Sequence, residues 1–420
     1  MRPLPHRTKQ GLLQLFFLLL TALVLCVPGV AATTSASTSQ TTIKKRHARS
    51  ATVKENVRVR HHMASRRHHR PVTRVHYRRV YSRRHHRYYE HFTASSFADN
   101  QTADDITAGE DPVVRQAAID ALGNMNGTVV VINPDNGRIL AMVNQKLALS
   151  SGAEPCSTIK LSVALAALEE GIITKDTPVD LGGHYHLTLT EALAHSNNLY
   201  FETVGRRLGF ERVKHYANMF GLGELAGYNI PGEQLGVYPD QALPDGMGGV
   251  GRMCSFGESV SMTPLQLGAL VSAIANGGTL YYLQHPQTPE EVSSFVPRIK
   301  RTLDIGPLLP QMTDGMAAAV RYGTARSLRT NFNAFPVFGK TGTCSNNGTR
   351  YGWFASYADT PSGRVVAVFF LEGGRPTYGP KAAELAGLFY RNLQEHSYFS
   401  SLAGPAAQAP AHASASRVSQ

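Results

Sequence analysis

The chain has 420 residues, 42 % of them hydrophobic, enough apolar material for one large domain or two ordinary ones. Its formal net charge of +12 is unevenly spread: residues 1–92 hold 19 of the 42 Lys and Arg, with Glu55 and Glu90 as their only acids, leaving 93–420 with 23 basic and 28 acidic residues, a net of −5. A body of that charge excludes the usual electrostatic footprint of a nucleic-acid-binding domain, and no nucleic-acid partner is expected.

In chain order, Arg2, Arg7 and Lys9 precede an apolar run from Leu12 to Val27, which Pro28-Gly29 breaks before the small residues of Val30-Ala31-Ala32. Residues 1–32 therefore read as an export leader, either a cleaved signal peptide or a retained membrane anchor. The run falls short of the roughly 20 apolar residues of a comfortable span, which favours cleavage. Bulky Val24 and Leu25 before Cys26 do not suit a lipoprotein processing site. Both forms place the body outside the cytoplasm, in the periplasm or on the outer face of the cytoplasmic membrane.

Residues 33–112 read as a basic, disordered arm, since the stretch from Lys44 to Phe92 is dense in Arg, His and Tyr and repels itself. It is either an electrostatic tether to anionic lipid or a wall polymer, or a solvated spacer. Nine of the 17 histidines lie there without ligand spacing, so no metal and no cofactor is expected.

Order is expected from near Asp111, with the folded domain at 113–400. Val113 to Leu122 has helical apolar spacing between Pro112 and Gly123. Thr128–Ile132 and Arg138–Val143 flank Pro134-Asp135-Asn136-Gly137, a strand–turn–strand pattern. A long helix is expected from Ser157 to about Glu170, and the Ala-, Leu- and Gly-rich stretch 160–330 reads as mostly helical. Three strand-like runs follow, Phe335–Thr343, Tyr351–Ala358 and Arg364–Leu371, then a closing helix over Lys381–Leu393 and a loose tail over 401–420. The fold class is α+β: one five-stranded antiparallel sheet built from both chain ends, flanked by helices, plus a mostly helical subdomain.

Three short motifs fall in a fixed order on these elements: Ser157-Thr158-Ile159-Lys160 at a helix start, Ser196-Asn197-Asn198, and Lys340-Thr341-Gly342-Thr343 on a late strand. Residues three apart on a helix share a face, so the Lys160 amine reaches the Ser157 hydroxyl. The apolar residues after Lys160 imply burial, which favours the neutral amine and makes it a proton acceptor. Ser196 is placed to relay a proton and Asn198 to hold Lys160 and a substrate carbonyl. Lys340 supplies charge, Thr341 and Thr343 supply hydroxyls, and Gly342 permits close approach by an extended peptide ending in a carboxylate. A rival Ser345–Asn347 follows the Lys-Thr-Gly instead of preceding it. His195 reads as structural, because adjacent helical residues do not face each other.

Over roughly 113–395 the chain resembles the transpeptidase domain of penicillin-binding proteins, in its stand-alone class B form. The resemblance extends to Gly127–Met142, Ile230-Pro231-Gly232-Glu233, Gly257-Glu258, Met262–Gln266, Ala275–Gly278, Tyr322–Ala325 and Trp353-Phe354. It implies the fold of β-lactamases and acylation of Ser157 by the D-Ala-D-Ala end of peptidoglycan stem peptides, with transfer to another stem's amine. It also implies covalent capture of β-lactams, and an oxyanion hole made by the backbone N–H groups of Ser157 and Thr343. Cys156 stands where the family usually has Gly. Family architecture would bring Cys156 and Cys344 together, implying a disulfide at the rim with Cys254 free; three buried thiols are the alternative.

Competing readings are a D,D-carboxypeptidase or serine β-lactamase, which pass the acyl group to water, and a non-catalytic envelope protein that binds through the basic arm. Glu233 stands at about the distance of a class A β-lactamase general base, but Ile230-Pro231-Gly232-Glu233 matches the transpeptidase landmark instead.

Overall fold

In the computed structural model, residues 91–360 and 363–401 are described. The leader expected over 1–32, most of the arm expected over 33–112, and all but the first residue of the tail expected over 401–420 lie outside the described residues. No helix among the described residues is long and apolar enough to cross a membrane.

Helix α1 (Pro112–Leu122) begins where Asp111 accepts hydrogen bonds from Val113 and Val114 N–H and Pro112 takes the first turn; Gly123, at φ 58°, ends it. Strands β1 (Gly127–Ile132) and β2 (Ile139–Val143) form the expected hairpin, each starting one residue away from expectation and ending where expected. The helical middle supplies α2 (Lys160–Glu169), α3 (Leu189–Ala194), α4 (Asn198–Leu208), α5 (Phe210–Met219), α6 (Gly249–Phe256), α7 (Pro264–Asn276) and α8 (Leu309–Arg321). Strands β3 (Val337–Asn346), β4 (Thr349–Thr360) and β5 (Gly363–Gly373) and helix α9 (Gly379–Glu395) complete the body.

The five strands make one antiparallel sheet in the order β2-β1-β5-β4-β3, so the chain's first hairpin joins its last three strands through β1 and β5, with Val130 opposite Val368. Alternation along β1 sends Val130 and Ile132 to one core and Val129 and Val131 to the other. Helices α1 and α9 cover the second face. The first face packs on α7, which is buried on every side from Pro264 to Ala275 and opens with a Thr263–Gln266 capping box. Strand β3 ends the sheet and has a neighbour, β4, on one side only.

Two expectations need correction. Order begins well before residue 113. Thr93 N–H donates to the Gly348 carbonyl (2.9 Å), Asn126 N–H to that of Ser96 (2.8 Å), and Phe97 bridges to Met125. Asp105 accepts from the N–H groups of Asn144 and Gln145, while Glu110 accepts from Met142 N–H. Arg115 pairs with both carboxylates at 2.8 Å, and His285 lies 2.9 Å from Glu110. This segment is fastened by polar groups that satisfy backbone donors beside β2, and such attachment leaves no apolar period in the sequence. The second correction is local: Cys156–Ile159 is a 3-10 turn, and the α-helix starts only at Lys160.

Candidate active site

The 3-10 turn matters because residues i and i+3 eclipse in that geometry. It places Ser157 directly over Lys160, with Nζ 2.7 Å from the serine Oγ. Pro155 precedes the turn, and Cys156 adopts a left-handed φ of 51°, a sparsely populated conformation for a residue with a side chain. Trp353, fully buried in β4, donates from Nε1 to the Glu154 carbonyl (3.0 Å) and ties the entry of the turn to the sheet.

Ser196, at φ 54°, sits in a second left-handed kink between α3 and α4, where Asn197 caps α4 by accepting from Tyr200 N–H. The kink turns Ser196 and Asn198 toward Lys160. Lys160 Nζ donates to Asn198 Oδ1 (2.7 Å) and to the Ser196 carbonyl (3.3 Å), and lies 3.4 Å from Ser196 Oγ. From β3, Lys340 Nζ donates to the same Ser196 Oγ (2.8 Å) and to the Thr341 carbonyl (3.0 Å). One continuous chain of polar contacts thus runs Ser157–Lys160–Ser196–Lys340, across three separate elements.

Both amines are 0 % exposed. Burial, reinforced by the charge of Lys340, holds the Lys160 amine well below the usual lysine range, and burial brings Lys340 down to about 7. Neither amine has a carboxylate partner among the described residues' hydrogen bonds and ion pairs. Lys160, which feels both penalties, is the one assigned the neutral form.

The remaining site candidates divide by face. Thr341 Oγ1 lies 2.6 Å from Thr324 Oγ1, in the loop after α8, and Thr343 Oγ1 accepts from the N–H of Gly379, the first residue of α9 (2.8 Å). A Cβ on Gly342 would stand 2.9 Å from the Pro155 carbonyl oxygen, which shows how closely β3 crosses the nucleophile turn. His195 caps α3, exposed beside Glu191 and Tyr322 and outside the contacts around Lys160. Ser345 and Asn346 lie at the exposed end of β3, and Asn347 in the turn beyond it, so the rival triplet is apart from the site. Glu233 accepts from Ala226 and Gly227 N–H, a loop-bracing role.

A family model described as the penicillin binding protein transpeptidase domain matches residues 127–389. The chain belongs to that family. Among curated relatives, it is 32 % identical over 257 residues to "Stage V sporulation protein D" of Bacillus subtilis, a match covering 51 % of this chain and 39 % of that protein. It is 23 % identical over 366 residues to "Peptidoglycan D,D-transpeptidase MrdA" of Acinetobacter baumannii, covering 69 % of this chain and 53 % of that one. The chain therefore matches only about half, or less, of the length of these relatives. Among solved structures, one described as a peptidoglycan glycosyltransferase from Burkholderia ambifaria has a TM-score of 0.58 at 19 % identity, covering 69 % of this chain and 98 % of that one. The D,D-transpeptidase domain of a peptidoglycan glycosyltransferase from Eggerthella lenta has a TM-score of 0.55 at 20 % identity, covering 71 % and 87 %. At those identities the likeness shows a shared fold.

Within this penicillin-binding protein transpeptidase fold, Cys156 and Cys344 are joined by a disulfide with a Cα–Cα separation of 5.5 Å, and Cys254 is a buried free thiol. Sequence reasoning gave Thr324 no role beyond its place in a family landmark, and passed over Glu154 altogether. Glu154 had a signal in its position, three residues before the nucleophile; the partners that define its surroundings, Arg252 and Glu258, are some hundred residues away in sequence.

Proposed function

We propose that this chain is a serine D,D-transpeptidase acting on the D-Ala-D-Ala end of peptidoglycan stem peptides. The observation that carries the reading is the 2.7 Å contact between Ser157 Oγ and the fully buried Lys160 amine, continued through Ser196 to Lys340. A neutral Lys160 takes the Ser157 proton as Oγ attacks the penultimate D-Ala carbonyl. The backbone N–H groups of Ser157 and Thr343 receive the developing oxyanion. Ser196 passes a proton to the departing D-Ala amine and is replenished through Lys160, while the charge of Lys340 steadies that relay and draws in the substrate's terminal carboxylate. Thr341, Gly342 and Thr343 hold the peptide against the edge of β3, a strand with room for one more beside it. The acyl group on Ser157 then passes to the amine of a second stem, which gives up its proton along the same route.

β-Lactams, which present a strained amide in the same place, acylate Ser157 covalently. The disulfide suits an oxidising compartment and supports an extracytoplasmic location, with the basic residues before 91 lying against anionic lipid or wall polymer. The test is labelling with a fluorescent penicillin: wild type labels and Ser157→Ala does not. Equal labelling of both, or none of wild type, overturns the reading.

A further inference from the structure

The nucleophile turn and β3 meet along a seam, with Ser157 on one side and Thr343 on the other. They pack closely, since a Cβ on Gly342 would stand 2.9 Å from the Pro155 carbonyl oxygen. Among the described residues, no backbone hydrogen bond joins 155–159 to β3, whose ladder partner is β4. The Cys156–Cys344 disulfide makes a covalent link across the seam, with the two Cα atoms 5.5 Å apart. Side chains alternate along β3, so Cys344 faces the same way as Gly342, toward the turn. The bonded pair also flanks both proposed oxyanion donors: Cys156 precedes Ser157, and Cys344 follows Thr343.

The backbone of Cys156 needs such a restraint. Its φ of 51° lies in the left-handed region, where a Cβ crowds the following carbonyl oxygen. Glycine takes this φ freely, but a residue with a side chain keeps it only where its surroundings impose it. On one side of Cys156, Trp353 Nε1 fixes the Glu154 carbonyl; on the other, Lys160 is fixed by Asn198 and Ser196. Between these anchors, the side chain of Cys156 is fully buried and bonded to β3. From these placements we infer that the disulfide is a positioning device for acylation. It holds Cys156 in the left-handed conformation and thereby sets the gap between the N–H groups of Ser157 and Thr343. Its sulfurs take no part in the bonds that form and break. The two donors must fit an oxyanion that exists only once Ser157 has attacked. Misplacing them therefore slows the chemical step and spares the noncovalent binding that precedes it.

The inference rests on the proposed reaction, and the experiment separates the two. Stopped-flow labelling of the full chain over a range of fluorescent penicillin concentrations gives the limiting acylation rate and, separately, the Kd of the noncovalent complex. The limiting rate belongs to the molecules that label, so an unfolded fraction lowers the amplitude and not the rate. Cys156→Ala/Cys344→Ala keeps a Cβ at the turn and loses the link. It should acylate more slowly by a factor on the order of ten or more, with Kd within about twofold of wild type. Cys156→Gly/Cys344→Ala loses the same link but tolerates the left-handed φ, and should recover most of the wild-type rate although its Tm falls as well. A cross-link that only stabilised the fold would leave the two variants alike. A wild-type rate in the alanine variant overturns the inference, as does equal slowing in both variants or a loss confined to Kd. Should the alanine variant not fold, native wild type reduced with a phosphine replaces it. Its rate should fall as the Cys156 and Cys344 thiols appear and return on reoxidation; reduction without a change in rate overturns the inference. No labelling of wild type at all overturns the proposed reaction itself, and the inference with it.

Discussion

Lys160 and Lys340 are withdrawn from water around a single hydroxyl, that of Ser196, and this sets the pH behaviour of the site. A lysine held below its free range gives up its proton at lower pH than usual. Acylation by penicillin should therefore rise with pH well below the 10.5 of free lysine as Lys160 deprotonates, and fall again once Lys340 loses its proton near 7. The two amines share Ser196, so the limbs report the pair and not either residue alone. Stopped-flow acylation rates across pH 5–11 measure this; a rate that climbs only above pH 10 contradicts a depressed Lys160. At this scale the sequence was highly legible. Three motifs in order gave every residue of the polar chain, because the chemistry demands those residue types. It did not reveal the left-handed backbones of Cys156 and Ser196, which aim the side chains and which neither residue type announces.

Elements bring the site together by close crossing, most tightly where β3 passes the nucleophile turn. Gly342→Ala would set a methyl 2.9 Å from the Pro155 carbonyl oxygen and 3.2 Å from both Thr158 Cγ2 and Trp353 Cβ. Backbone on one side and a buried tryptophan on the other leave little room to yield. The variant should lose about 1–3 kcal/mol in urea unfolding and acylate more slowly; wild-type values for both contradict the crossing. A second element-scale prediction concerns the segment before α1. Arg115→Ala leaves Asp105 and Glu110 buried, with side chains 3 % and 1 % exposed, without their guanidinium. Removing one partner of such a cluster costs about 3–5 kcal/mol, which thermal unfolding would register as a clear drop in Tm. An unchanged Tm contradicts the fastening of residues 93–111. Hydrophobic period made the five strands and helices α1, α2 and α9 readable to within a few residues, and gave the middle of the chain only as mostly helical. It was silent on this segment, whose attachment is carried by Asp105, Glu110 and Arg115, and on the 3-10 turn, which differs from an α-helix by one hydrogen-bond step.

Across the whole molecule, the sheet joins residues far apart in sequence, and the Cys156–Cys344 bond spans 188 positions of chain. A cross-link closing so long a loop restrains the unfolded chain by up to about 5 kcal/mol. Reduction should lower Tm, and thiol titration of denatured, unreduced protein starting after residue 32 should find one free group, Cys254. Three free groups contradict the bond. Its pairing was open to the sequence only through family resemblance, since spacing alone does not choose among three cysteines. That one sheet joins both chain ends was readable from the apolar runs, two early and three late; the order of its strands came only with the structure.

The most direct test of the account is to locate the acyl group. Penicillin-treated protein, reduced and digested with trypsin, should carry the mass of one penicillin on the peptide spanning residues 147–160, assigned by fragmentation to Ser157. An adduct on any other residue, or none with the protein folded, contradicts the assignment of Ser157 as the nucleophile and Lys160 as its base.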